Sequence, residues 1–63
     1  MSSQPRAEIS SITTQLEEIM NRVVQIGDNF RHEPDSGFVN ECNNAERSLM
    51  SAIRSIERAK KQL

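Results

Sequence analysis

The sequence predicts an all-α fold: a coiled-coil-like, antiparallel two-helix hairpin that pairs into a four-helix bundle. Three observations carry that expectation. Two long segments repeat their apolar residues in alternating steps of three and four. A short break containing Pro34 and Gly37 separates them. The apolar residues left over beside the repeat form a flank too large for a small chain to leave in water.

In the first segment the apolar residues are Ile9, Ile12, Leu16, Ile19, Val23, Ile26 and Phe30. In heptad letters, Ile9, Leu16, Val23 and Phe30 are a, and Ile12, Ile19 and Ile26 are d. Strands need alternation with a period of two, which is absent here. Pro5 suits the first turn of a helix, where its missing N–H costs nothing. Helix 1 is therefore expected over about 5–32. Gly27 lies inside it at a cost of about 1 kcal/mol relative to alanine, and an early stop there would leave a loop to Gly37. Phe30 keeps the heptad phase, which favours the longer helix.

The turn is expected at 33–35. Pro34 cannot continue a helix and biases the residue before it toward extended angles. Asp35 and Ser36 are good N-cap residues for a following helix. Helix 2 is expected over about 36–62, with Cys42, Leu49, Ile56 and Leu63 at a and Phe38, Ala45, Ala52 and Ala59 at d. Asn43 with Glu46 also matches a capping box, but Phe38 and Cys42 hold the phase before it. The three alanines at d predict close approach of the helices through a thin seam. A connection this short makes the helices antiparallel neighbours, so residues 1–63 form a single helical-hairpin domain. Leu16, Ile19, Val23, Leu49, Ala52 and Ile56 are expected to hold it together.

Association is expected from what flanks that seam. Met20 at e and Val24 at b on helix 1, with Ile53 at e and Met50 at b on helix 2, widen the apolar stripe on one side. The g positions, Glu8, Gln15, Arg22 and Asn29 with Glu41, Ser48, Ser55 and Gln62, are polar. Met20, Val24, Met50 and Ile53 therefore form the expected association surface. Burying each is worth roughly 1.5–3 kcal/mol, a sum comparable with the stability of a small domain. A homo-oligomer, with a dimer favoured, satisfies that surface around a two-fold axis. A different protein chain completing the bundle is the alternative.

Composition narrows the chemistry. With 63 residues, no Trp or Tyr and one cysteine, the chain has no intrachain disulfide and no large aromatic core. A lone cysteine suits a reducing compartment. The start of the chain carries no apolar signal stretch, and no run approaches a membrane span. The expected location is cytoplasmic, with no membrane partner. His32 and Cys42 stand on opposite sides of the turn, so no nucleophile–base pair is expected and the chain reads as no enzyme. His32, Glu33 and Asp35 cluster at the turn without a metal-binding spacing, so no metal or cofactor is expected.

Net charge is −1 but unevenly placed: residues 47–63 hold Arg47, Arg54, Arg58, Lys60 and Lys61 against Glu57 alone. Arg47, Arg54 and Lys61 share position f, with Arg58 beside them at c. This stripe is a candidate site for an anion or nucleic acid, although no aromatic residue is interleaved to stack on bases. In format, by its length, helical hairpin and small seam residues, the chain resembles the Rop family of plasmid copy-number regulators. That resemblance implies a dimeric four-helix bundle that binds paired RNA loops. The family's RNA-contacting face has no residue-by-residue match here, and Glu17 and Glu18 make the outer face of helix 1 acidic. A helical-hairpin secretion substrate with a Trp-x-Gly turn is unsupported, because this turn contains no Trp. The sequence thus favours a small interaction or regulatory protein. A nucleic-acid-binding regulator and an assembly subunit are the rival readings.

Overall fold

The structure, a computed structural model, describes residues 5–30, 32 and 37–63. It is a hairpin of two helices, α1 from Pro5–Asn29 and α2 from Gly37–Lys61. Each helix has 25 residues, about 37 Å at 1.5 Å per residue. No strand occurs among the described residues.

Charge matches the backbone dipole at one end of each helix. Glu8 stands in the first turn of α1, and Arg58, Lys60 and Lys61 stand in the last turn of α2. α1 continues through Gly27 and stops three residues short of the expected end. The amide of Phe30 donates to the carbonyl of Gly27 at 3.1 Å, a bond to the third residue back rather than the fourth. That tightening closes α1 and lets Phe30 meet Phe38, with ring centroids 5.1 Å apart and planes tilted by 57°. The expected caps Asp35 and Ser36, and the turn 33–35, lie outside the described residues.

The helices run antiparallel. Lys60 Nζ donates to Ser10 Oγ at 3.0 Å at the open end, and Phe30 meets Phe38 at the turn end. Gly27 lies against Cys42 between these points: a Cβ placed on Gly27 would stand 3.2 Å from Cys42 Cβ. A side chain at Gly27 would press on Cys42 unless it gave way by a few tenths of an ångström, so the glycine serves closeness rather than backbone conformation, since no glycine has a positive φ. Each step toward the turn on α1 matches a step toward it on α2. This register sets Leu16 level with Ile53 and Met20 level with Leu49.

Burial shows which faces meet. Thr13 and Gly27 on α1 and Ile53 on α2 are buried. Ile9, Leu16, Met20, Val23 and Val24 are half-buried, as are Val39, Cys42, Ala45, Glu46, Leu49, Ile56 and Lys60. The seam therefore runs along a and e on both helices. That is a rotation of roughly 50° from the expected a/d seam, at 3.6 residues per turn. Leu16, Val23, Leu49 and Ile56 take their expected places. Ile19 and Ala52 do not, because both are exposed. Ala59 is exposed as well and only Ala45 of the row is half-buried, so the alanine row does not form a continuous thin seam. Closeness comes instead from Gly27 at e, and it draws the e rows inward.

Candidate functional site

Rotation of the helices decides which apolar residues remain on the surface. Ile12, Ile19 and Ile26 form the d row of α1 and are 39%, 40% and 47% exposed. At the turn end Phe30 and Phe38 are 40% and 49% exposed. In an antiparallel pair the d rows of both helices share one side, so Ala45, Ala52 and Ala59 lie on the same broad face as the isoleucines. Ile53, at 9% exposure, is the one buried hydrophobic residue among those described. The hairpin therefore leaves a row of large, partly exposed apolar residues along one open face.

The expected association surface is dispersed by this geometry. Ile53 is inside the seam, Met20 and Val24 are half-buried along it, and only Met50 is exposed. These four side chains line the interior and the opposite flank, not a continuous outer patch. The heptad pattern assigns the d row to the interior, and the rotation of the helices carries Ile12, Ile19 and Ile26 onto the surface instead. Gly27 at e was the available signal, since a glycine leaves room for a facing helix to approach closely.

The other broad side is polar. Its turn end contains an open groove of about 350 Å³, floored by Val24, Gly27, Val39 and Cys42 and edged by Asp28, Asn43 and Glu46. It is a shallow opening between two helices, and Cys42, a free cysteine packed against Gly27, is half-buried at its base. His32 is exposed beyond the end of α1. Glu33 and Asp35, which complete the expected polar cluster at the turn, lie outside the described residues.

The basic stripe is solvent-facing. Arg47 Nη2 donates to Asn44 Oδ1, Arg58 Nη2 donates to Ser55 Oγ at 3.0 Å, and Arg54 Nη2 approaches Met50 Sδ at 3.7 Å. All three partners lie on the same helix, so these arginines lie along α2 rather than crossing to α1. Position f is nearly opposite d on the helix circumference, so Arg47, Arg54 and Lys61 point away from the apolar face.

Among the described helices, none is long and apolar enough to cross a membrane. No protein family, no curated protein sequence and no solved structure matches the chain significantly.

Proposed function

We propose that this chain is a small helical interaction protein that works by self-association. Two hairpins would pack through the apolar face into a four-helix bundle, leaving the polar sides to engage a protein partner. The observation that carries this reading is the open face itself. Ile12, Ile19, Ile26, Phe30 and Phe38 are each 39–49% exposed. Covering them is worth about 1 kcal/mol each, from the usual 1.5–3 kcal/mol for complete burial. The total of about 5 kcal/mol is comparable with the entire stability of a small domain. The basic stripe on the far side stays accessible in such a bundle, and a nucleic-acid partner there is the rival reading.

Light scattering across a concentration series, with helicity followed by circular dichroism, tests the proposal. The wild-type chain should have twice its monomer mass. Ile19→Asp should weaken the assembly by about 100-fold or more, because a charge enters an apolar interface, whereas Arg54→Asp on the opposite side should leave the mass unchanged. A helical monomer at high concentration, or equal effects of the two substitutions, would overturn the reading.

A further inference from the structure

The open face has a shape as well as an apolar character. On α1 it carries a ridge of three isoleucines, Ile12, Ile19 and Ile26, seven residues apart. On α2 it carries Ala45, Ala52 and Ala59 with the same spacing. The register set by the Ser10–Lys60 and Gly27–Cys42 contacts places Ile12 beside Ala59, Ile19 beside Ala52 and Ile26 beside Ala45. Each pair is level to within about two residues, or some 3 Å of helix rise. The face is thus a ridge beside a trough of equal length and equal period.

The area also suits a second copy. The Cα trace measures 51 × 18 × 10 Å, so its broad side covers about 900 Å². A stable dimer needs about 800 Å² per partner.

Resting on the self-association reading, we infer that the occupant is a second copy lying with its turn at the same end. A two-fold axis along the hairpin's length places α1 of each chain over α2 of its partner. Every isoleucine ridge then enters an alanine trough, and the two Phe30–Phe38 pairs come together at one end. A two-fold axis across the hairpin instead stacks ridge on ridge and trough on trough. That packing overfills one half of the interface and leaves voids in the other, and both defects cost stability.

Distances between labels distinguish the two arrangements. Gly37 is exposed, and a Cβ added there meets nothing within 4 Å. A spin label on Gly37→Cys, in a Cys42→Ala background, is therefore a light perturbation and a unique one. Same-end packing predicts a label-to-label distance of about 20–30 Å, from helix spacings of ~8–10 Å plus the label arms. Opposite-end packing predicts a distance approaching the 51 Å length of the hairpin. A second label at Leu63→Cys, at the exposed open end, should also give the short distance, and it secures the test if the first variant loses helicity. A long distance in a species of dimer mass overturns the arrangement but leaves self-association standing. Monomer mass with no intermolecular coupling overturns both.

Discussion

The two ends of the hairpin are held in different ways. At the turn end, Gly27 admits Cys42 to close contact, and Phe30 meets Phe38 with their rings tilted. Small meets small and ring meets ring, and among the described residues no buried side-chain polar atom without a partner lies there. At the open end, Thr13 is buried at 7% exposure, and its hydroxyl has no hydrogen-bond partner among the described residues. Lys60, half-buried, spans the seam there to reach Ser10, its aliphatic stem serving as packing and its charged end remaining wet. The turn end is set by shape. The open end accepts a polar cost because the same helix rotation that suits Gly27 carries Thr13, two e positions away, into the seam.

Three substitutions break or sharpen that contrast. Ile53→Asp should have the largest effect, because it places an unpaired charge at the midpoint that both ends share. A loss of about 4 kcal/mol or more is expected, seen as collapse of helicity in circular dichroism. A folded but dissociated chain would instead place Ile53 on the outer surface. Gly27→Val attacks the turn end alone. Its branched side chain enters contact already tight for a single Cβ, and a loss of about 1–3 kcal/mol is expected in denaturant unfolding. An unchanged midpoint would mean that Cys42 yields to a side chain at Gly27. Thr13→Val should mend the open end. It keeps the side-chain shape and removes a hydroxyl without a partner, so stability should rise by about 1 kcal/mol. The comparison requires a fixed chain concentration, since association shifts apparent stability. A lowered melting temperature would show that the hydroxyl is satisfied after all.

The helices themselves were legible because each is specified by its own residues. Steps of three and four from Ile9 to Phe30 and from Phe38 to Leu63 need no knowledge of a partner. Pro34 and the brevity of the connection give antiparallel pairing. The end of α1 was less legible. Phe30 fits the heptad phase, yet its amide bonds the carbonyl three residues back, a choice tied to the ring of Phe38 across the turn. The candidate surface was legible only as an excess of apolar residues. Which of the apolar residues stay exposed was not legible, because Met20 and Ile53 at e are as apolar as Ile19 at d and the heptad pattern does not rank them.

What the sequence determines by itself is therefore periodicity: two helices, their direction and their approximate register. Tertiary structure decided rotation. An apolar stripe spanning d, a and e is wide enough for two seams roughly 50° apart. Helical period is a property of one segment, whereas close packing is a property of two facing surfaces. Gly27 against Cys42 settles that choice in favour of a/e. The isoleucines and alanines of d are thereby left together on one broad side of the hairpin.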